Sequence, residues 1–449
     1  MITRHILTIP AGPDAPARRA HYRRCGSGPL LLMVHQSPRS SAEYEELMQR
    51  WGASFTCVAP DTPGFGQSDA LPGVPEIADF ADALAGFVNA LGVKRCAAYG
   101  FHSGGIILVT ALKRHPALFS ALAVGGYAIW TAEEMALFGD RYLPPFLPSA
   151  YGEHLTWLWN RLLEQSWFFP WFDLRDEARL SVAHADVSRV QAAVMEMLDS
   201  GNAYQAGYGA VLRAPRDIPS PDMMTPPVLI TAYDGDPLQA HIDRLGAMPA
   251  GWAARKVGAP QAHQDDSLAF LREHTPDEPC PALGEDEGEG WLAVGEGLIH
   301  WRGTRGGALS LHNPAAEMSA PKPGDLAIDV PGHGLSSDFD DVEGAIIATA
   351  EALGSKTTHW PDAPIGDPDK LYRDLTPDRF GAHLLRAWSA ARAEALFAPW
   401  YAADKDHALP VDQDALDPAA IAERARARLR AGDAANRYHE LLTRRTKDE

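Results

Sequence analysis

The first 275 residues alternate between short stretches with strand character and longer stretches that have one apolar face. Leu30–His35 is apolar almost throughout, which is typical of a strand buried on both faces. Glu76–Leu91 instead carries its apolar side chains on one helical stripe. Strands that alternate with helices predict an α/β fold with a mostly parallel sheet. The predicted strands are Ile2–Ile9, Arg19–Arg24, Leu30–His35, Phe55–Ala59, Cys96–Tyr99, Ala121–Gly125, Val228–Ala232 and Ala253–Val257.

The alternation stops in an aromatic segment. Between Tyr127 and Phe172, thirteen of 46 residues are Phe, Tyr or Trp, and spacings such as Trp157, Arg161 and Gln165 are helical. We interpret residues 127–215 as an inserted helical layer, or lid. Its rings either form the core of that layer or line an apolar cavity where the layer faces the sheet.

A short acidic stretch divides the chain. Residues 276–290 contain six acidic residues, no basic residue and several Gly and Pro residues, which predicts a solvated linker. A chain of 449 residues also exceeds what one hydrophobic core usually covers. We therefore expect two domains, at residues 1–275 and 291–449.

Composition argues against several classes of protein. The formal net charge of −19 opposes nucleic-acid binding, because phosphates are attracted by a basic face. No apolar run approaches the roughly 18 residues that cross a bilayer, and Met1–Gly12 lacks the apolar core of a signal peptide. The four cysteines are scattered without a C-x-x-C pair, so we expect no disulfide framework, no zinc site and a cytoplasmic location. Because there is no dinucleotide loop, P-loop or cluster of metal ligands, we predict no cofactor.

Three motifs follow strands of the first half. Val34–Ser41 reads VHQSPRSS, Asp61–Asp69 reads DTPGFGQSD, and Gly100–Gly105 reads GFHSGG just before a predicted helix, Ile106–Arg114. In this order the motifs resemble those of the α/β-hydrolase fold family, and the first loop is similar to that of haloalkane dehalogenases and their relatives. The resemblance implies an α/β-hydrolase fold over roughly residues 1–275, with the segment 127–215 as its lid.

The turn at residues 100–105 departs from the family pattern. The family presents its nucleophile at the apex of a tight strand-to-helix turn, where the residues two before and two after need to be nearly free of side chain. With His102 at the apex, Gly100 and Gly104 fill both positions, whereas with Ser103 at the apex Phe101 would clash. Sterics therefore favour a histidine in place of the usual Ser, Cys or Asp nucleophile. Ser103 as a shifted nucleophile, and a turn without chemistry, remain alternatives.

The resemblance also assigns an acid and a base. Asp236, with Asp234 as the neighbouring alternative, follows the strand Val228–Ala232, where the family has its acid. His263 lies after the final strand and just before a predicted helix, Asp266–Leu271, where the family has its general base. The chain order of elbow, acid and histidine is that of the family.

The same resemblance assigns the groups that would stabilise an anion. Two backbone N–H groups form the oxyanion hole of this fold, and they map to Ser103 and Ser37. Gln36 and His35 precede Ser37 in the same loop and join it as candidate substrate-binding residues. An ordinary turn is the alternative reading of Ser37.

The second half resembles the first with parts missing. Residues 380–400 match residues 151–171 at a constant offset of 229, which aligns Trp388 with Trp159. No elbow glycines follow Leu353-Gly354, and the last strands with acid and base have no counterpart. We predict a degenerate hydrolase-like repeat, half a sheet plus lid-like helices, that has a structural or interface role such as covering the lid of the first domain. Three further segments, His300–Arg302, Leu309–Pro314 and Asp329–Ser336, resemble His21–Arg23, Met33–Pro38 and Asp61–Ser68.

These assignments predict a hydrolase that acts on a small apolar or aromatic carbonyl compound by cleaving an ester, a lactone or a C–C bond. His263, oriented by Asp236, is expected to activate water, while His102 donates a hydrogen bond or proton. A lyase or cofactor-free oxygenase with the same His–Asp dyad, and a non-catalytic binding protein, are the alternatives, since fold alone does not decide function. The expected partner is a small-molecule substrate rather than a nucleic acid or membrane, and the sequence leaves the oligomeric state open, a homo-oligomer included.

Overall fold

The computed structural model describes residues 1–12, 16–215 and 217–448. The chain forms two compact units. The first contains Met1–Phe146, Arg161–Asp186 and Ala192–Asp286, and the second contains Leu147–Asn160, Val187–Gln191 and Glu287–Glu449. The division after residue 286 falls inside the acidic stretch that predicts a linker, but two pieces of the predicted lid belong to the second unit.

The first unit is built on an eight-stranded sheet. The strands are β1 Thr3–Ile9, β2 Arg18–Cys25, β3 Leu30–Val34, β4 Thr56–Pro60, β5 Cys96–Phe101, β6 Phe119–Gly125, β7 Val228–Tyr233 and β8 Trp252–Val257. Their order is β1-β2-β4-β3-β5-β6-β7-β8. Strands β1, β2 and β4 pair antiparallel, and every later neighbour pairs parallel. The predicted α/β fold with a mostly parallel sheet is therefore confirmed.

Two hydrophobic clusters cover the two faces of this sheet. In β3, Leu32 and Val34 point into one cluster, whereas Leu31 and Met33 point into the other, because successive side chains of a strand alternate in direction. All five residues of β3 are buried. This two-sided burial explains why the strand is apolar throughout instead of alternating with polar residues.

The helices of the first half are α1 Glu45–Trp51, α2 Ile77–Ala90, α3 Ser103–Arg114, α4 Ala132–Phe138, α5 Glu153–Gln165, α6 Val187–Ser200, α7 Ala203–Arg213 and α8 Pro260–His274. Helices α2 and α3 pack in the cluster on one face, and α1 packs in the cluster on the other. The segment between β6 and β7 holds α4 to α7. Helix α8 begins six residues earlier than the sequence predicts, which places His263 in its first turn rather than in a loop.

The acidic stretch makes specific contacts within the first unit. The backbone N–H of Asp286 donates to the Ile6 carbonyl over 2.8 Å, and that of Gly284 donates to the Leu91 carbonyl over 3.3 Å. The Tyr22 hydroxyl donates to the carbonyl of Gly284 over 2.9 Å. The stretch therefore lies along β1, β2 and α2 up to residue 286, although its charge pattern predicts a solvated linker.

The second unit contains a smaller sheet. Its strands are β9 Glu289–Val294, β10 Gly297–Gly303, β11 Leu309–Ser310, β12 Leu326–Ile328 and β13 Thr358–His359. The order β13-β11-β12-β10-β9, read backwards, is that of the first five strands of the larger sheet. The helices are α9 Val342–Ala352, α10 Pro368–Leu371, α11 Ala382–Glu394, α12 Pro418–Ala431 and α13 Ala434–Asp448. Among the residues that the structure describes, no helix is long and apolar enough to span a membrane.

Candidate active site

A buried carboxylate holds together the loops at the carboxyl edge of the first sheet. Asp61, just after β4, accepts hydrogen bonds from His21 Nδ1 at 2.8 Å, from the backbone N–H of Ser41 at 2.8 Å and from that of Gln67 at 2.8 Å. Burial would raise the pKa of Asp61, but His21 and Arg23 hold it far below its usual range. Burial lowers the pKa of His21 to about 3. Asp61 is therefore an anion that positions loops.

His35 has the same kind of structural role. Its Nε2 accepts the backbone N–H of Thr62 at 2.9 Å, and its Nδ1 lies 3.0 Å from the Gln36 carbonyl oxygen. The residue is 1% exposed. Because both ring nitrogens are occupied by backbone groups, the expected substrate-binding role of His35 does not match its geometry, and the ring joins the β3 loop to the β4 loop instead.

The strand-to-helix turn at residues 100–105 is as tight as the glycines predict. His102 lies between β5 and α3 with φ 48° and ψ −113°, in a region that residues with a Cβ rarely adopt. A Cβ at Gly104 would lie 1.9 Å from the Val34 carbonyl oxygen, and one at Gly100 would lie 2.8 Å from the backbone of Gly104. His102 therefore occupies the apex of the turn, and Ser103 is the first residue of α3.

The apex histidine reaches the acid directly. His102 Nε2 lies 3.0 Å from Asp236 Oδ1, which also accepts the Leu238 backbone N–H at 2.8 Å. Gly126 makes room for this pair, since a Cβ there would lie 2.6 Å from His102 Nε2 and 2.8 Å from Asp236 Oδ2. Asp234, the alternative acid, is exposed and accepts a hydrogen bond from the Gln239 side chain. Asp236 is thus the residue that pairs with the elbow.

Electrostatics assign the direction of this hydrogen bond. Burial would raise the pKa of Asp236, but His102, the Leu238 backbone N–H and His263 together outweigh burial and lower it. An anionic carboxylate only accepts, so His102 Nε2–H is the donor of this hydrogen bond. The Phe101 ring stacks on the imidazole with centroids 4.0 Å apart, and 24% of the His102 side chain is exposed. The pair has the composition of a general base with an orienting acid.

The hydrogen bonds of His263 connect it to residues other than His102 and Asp236. Its Nδ1 is 2.5 Å from Thr231 Oγ1, and its Nε2 is 2.9 Å from the Tyr99 hydroxyl. Burial lowers the pKa of His263 to about 4, so the ring is neutral near pH 7. The sequence predicts that Asp236 orients His263, but both nitrogens of this ring bond to other groups. These partners lie on β5 and β7, and His263 itself lies in the first turn of α8.

The two residues assigned to the oxyanion hole contact each other. The backbone N–H of Ser37 donates to Ser103 Oγ at 2.5 Å, and the neighbouring Gln36 N–H donates to Glu43 Oε1 at 2.9 Å. The peptide between Ser37 and Pro38 is cis. The N–H of Ser37, expected to face a substrate, is therefore bonded to the Ser103 hydroxyl.

A cavity of about 590 Å³ lies at this edge of the sheet. Burial raises the pKa of Glu43 on its wall, and the Oε2 atom of this side chain has no hydrogen-bond partner among the described residues. The rings of Phe101 and His263 are 5.6 Å apart, and Phe101 is the lining residue that also stacks on His102. The lining residues are Gln36, Arg39, Glu43, Tyr44, Glu46, Leu47, Arg50, Tyr99, Phe101, Tyr233, Ala259, Pro260, Gln261, His263 and Gln264.

Sequence reasoning missed the residues that shape the dyad and the surroundings of His263. Gly126 has φ 58° and faces the dyad, and the Gly125-Gly126 pair at the end of β6 was the available signal. Thr231 and Tyr99 lie inside predicted strands and show no sequence signal of their contact with His263. Across residues 1–12, 16–215 and 217–448, no three His, Cys, Asp or Glu side chains are grouped so that they could hold a metal ion.

Comparison with known proteins agrees with this fold. The sequence model of the alpha/beta hydrolase fold family matches residues 29–250. Haloalkane dehalogenase 2 of Mycobacterium tuberculosis is 30% identical over 125 residues, which are 28% of this chain and 44% of that protein. The 2-(acetamidomethylene)succinate hydrolase of Mesorhizobium japonicum is 38% identical over 96 residues, 21% of this chain and 34% of that protein. The chain thus spans less than half the length of these relatives.

A solved thermophilic esterase from Thermogutta terrifontis is 18% identical, covers 61% of this chain and 99% of its own, and has a TM-score of 0.43. The family match over residues 29–250 and the strand order of the first sheet give this part of the chain the α/β-hydrolase fold.

Proposed function

Because residues 29–250 match the α/β-hydrolase fold, we propose that this chain hydrolyses a small, apolar or aromatic carbonyl compound with water activated by His102 and Asp236. The observation that carries the proposal is the 3.0 Å hydrogen bond between His102 Nε2 and Asp236 Oδ1 at the apex of the elbow. An ester, a lactone or a ketone with a cleavable C–C bond fits this chemistry. The relative named 2-(acetamidomethylene)succinate hydrolase is a precedent for hydrolysis.

The proposed reaction begins at Nδ1 of His102. In the neutral ring, the lone pair on Nδ1 takes a proton from water while the water oxygen forms a bond to the carbonyl carbon. The π electrons of the carbonyl group move to its oxygen. Asp236 stabilises the imidazolium and keeps the ring in its orientation. When the intermediate collapses, the bond to the leaving group breaks, and Nδ1–H returns the proton to that group.

The oxyanion needs a donor that is free to face the substrate. The backbone N–H of Ser103, at the start of the 12-residue helix α3, supplies one donor with the partial positive charge of a helix N-terminus. The Ser103 hydroxyl holds the Ser37 N–H, so we assign that side chain to loop geometry rather than to nucleophilic attack. This mechanism moves the base from His263, the residue expected from the sequence, to His102.

A deprotonating enzyme is the second candidate. The apex carries neither a hydroxyl, a thiol nor a carboxylate, and a His–Asp dyad can equally remove a proton from an acidic C–H group. A lyase or a cofactor-free oxygenase would use the dyad in this way. Exchange of a substrate C–H for deuterium in D₂O, without net hydrolysis, would favour this candidate.

The test is a comparison of three variants on a panel of aryl esters, lactones and β-diketones. His102→Ala and Asp236→Asn are expected to lower kcat by about 10²–10⁴. The control is His115→Ala, because His115 lies at the other end of α3 in a partly exposed pair with Asp82, whose Oδ1 is 2.7 Å from its Nε2. Equal activity of His102→Ala and wild type would exclude the dyad. Ligand-dependent stabilisation of wild type without turnover of any substrate would identify a binding protein.

A further inference from the structure

Two helices of the second unit pack against each other reciprocally. The unit includes residues 147–160, which contain the first part of α5, together with the whole of α11. A Cβ at Gly152, before α5, would lie 2.9 Å from Trp388 Cγ. A Cβ at Gly381, before α11, would lie 2.5 Å from Trp159 Cγ. Each indole therefore lies on the glycine at the start of the other helix.

The histidines of these helices repeat the pattern. His154 meets Trp388 edge to face with ring centroids 4.8 Å apart, and His383 meets Trp159 edge to face at 5.2 Å. Both indoles are 1% exposed. The same offset of 229 residues relates Gly152 to Gly381, His154 to His383 and Trp159 to Trp388, so one set of contacts maps onto the other when the helices exchange roles.

The correspondence continues beyond the helices. The bridge between Phe168 and Arg179 recurs between Phe397 and Ala408. The backbone bond from Leu180 N–H to the Trp167 carbonyl recurs from Leu409 N–H to the Leu396 carbonyl, each at 2.8 Å. The offset is again 229, so a structural element of about 30 residues occurs twice in this chain.

Reciprocal contacts of this kind define an isologous interface, in which residue i of one copy meets residue j of the other and j meets i. Such an interface normally joins two identical subunits. We propose that α5 and α11 form an internal pseudo-twofold interface, in which the second half of this chain supplies in cis the partner that such a helix would otherwise take from a second copy.

The interface is symmetric in its ring contacts but not in every hydrogen bond. Trp159 Nε1 donates to the Arg379 carbonyl at 3.1 Å, whereas Trp388 Nε1 is buried without a partner among the described residues. Replacement of Trp159 alone is therefore expected to lower the denaturation midpoint more than replacement of Trp388 alone. The symmetry is therefore tested by the coupling energy within each His–Trp pair, and not by the midpoint shifts of the single variants.

The test uses two double-mutant cycles in the full-length chain. One combines His154→Ala with Trp388→Phe, and the other combines His383→Ala with Trp159→Phe. Phenylalanine keeps the core filled so that the variants fold. The control combines His154→Ala with Trp291→Phe, because Trp291 stacks on a different histidine, His300, with centroids 4.5 Å apart. The measurements are the urea midpoint and the molecular mass in sedimentation.

The proposal expects the midpoint shifts to be non-additive by the same amount in both test cycles and additive in the control. It also expects the mass to be identical for wild type and all variants, since the interface lies within one chain. Coupling in only one cycle, or in neither, would contradict the pseudo-twofold relation. A mass that falls when Trp159 or Trp388 is replaced would show that the contacts are made between chains, which would overturn the proposal.

Discussion

The same hydrogen-bond pattern holds the loops of both sheets, although among the described residues an elbow follows a strand of the first sheet and no strand of the second. His21 Nδ1 lies 2.8 Å from Asp61 in the first unit, and His300 Nδ1 lies 2.8 Å from Asp329 in the second. In each unit a backbone N–H six residues after the aspartate donates to the same carboxylate, at 2.8 Å and 2.9 Å. Desolvation opposes ionisation of Asp329, but His300 and backbone donors lower its pKa to about 2.

A second pair of contacts matches as well. His35 Nε2 accepts the N–H of Thr62 at 2.9 Å, and His312 Nε2 accepts the N–H of Val330 at 2.9 Å. After β13, however, the chain runs through Trp360 without a helix until α10. The loop contacts therefore occur both with and without a following elbow, which indicates that they shape the sheet edge. What distinguishes the first unit is the strained residue His102 and the acid that it meets.

The largest expected effect is a loss of kcat at the elbow, where the two units differ. His102→Ala should lower kcat by about 10²–10⁴ because it removes the proposed base, whereas His312→Ala in the second unit should change stability and leave kcat near that of wild type. Steady-state kinetics on the best substrate of the panel, with circular dichroism as the folding check, measures this. Similar kcat losses in both variants would mean that the second unit contributes to turnover.

The next effect is a loss of stability at the buried carboxylates that the two units share. Asp61→Asn should lower the free energy of unfolding by about 3–5 kcal/mol, since it removes a buried charge that several donors surround. Asp329→Asn should destabilise the second unit by a similar mechanism. Asp69→Asn is the control, because its carboxylate accepts the Arg19 N–H at an exposed position and should cost below about 1 kcal/mol. Urea unfolding followed by tryptophan fluorescence gives the comparison, and an Asp61→Asn loss no larger than the control would refute the structural role.

The buried ring of His263 predicts that the stability of the protein depends on pH. Burial lowers the pKa of His263 from 6.5 to about 4, so the unfolded chain binds a proton there before the folded chain does. Stability is then lost as the pH falls from about 6.5 to about 4, by about 3 kcal/mol from this group. His263→Gln keeps polar atoms for Thr231 and Tyr99 but cannot titrate, so the urea midpoint should fall less between pH 7 and pH 5. An unchanged slope would contradict a buried neutral ring, and His115→Gln controls for the substitution itself.

The sequence predicts the fold well because the fold depends on patterns that are local in the chain. The apolar run Leu30–His35 directly indicates a buried strand. The glycines around His102 directly indicate a tight turn. The apex assignment rests on the same local sterics. The pairing across the site depends on long-range geometry, namely how far the end of β7 lies from the elbow and where α8 begins. A pattern that places Asp236 and His263 in the expected order cannot tell which ring the acid reaches.

The acidic stretch, residues 276–290, also shows that contacts between distant parts of the chain are not visible in the sequence. Its charges predict solvation, yet its backbone groups bond to β1 and α2, because backbone donors and acceptors are present whatever the side chains are. The split of the lid segment between two units is likewise invisible to periodicity. Only the repeat at offset 229 indicates that α5 has a counterpart in the second half.

The smallest expected effect concerns the serine next to the elbow. Ser103→Ala removes the hydroxyl that holds the Ser37 N–H at 2.5 Å but keeps the backbone N–H of residue 103 at the start of α3. If the hydroxyl only shapes the loop, kcat should stay within about tenfold of wild type, because a single neutral hydrogen bond contributes about 0.5–1.5 kcal/mol. The variant also frees the Ser37 N–H to face the substrate, which would offset part of that loss. If Ser103 is instead the nucleophile, kcat should collapse as in His102→Ala, and a serine-directed phosphonate should add its mass to the Ser103 peptide. Kinetics of Ser103→Ala together with mass spectrometry of the treated wild type decides between the two, and a phosphonate adduct on Ser103 would end the assignment of His102 as the base that acts on water.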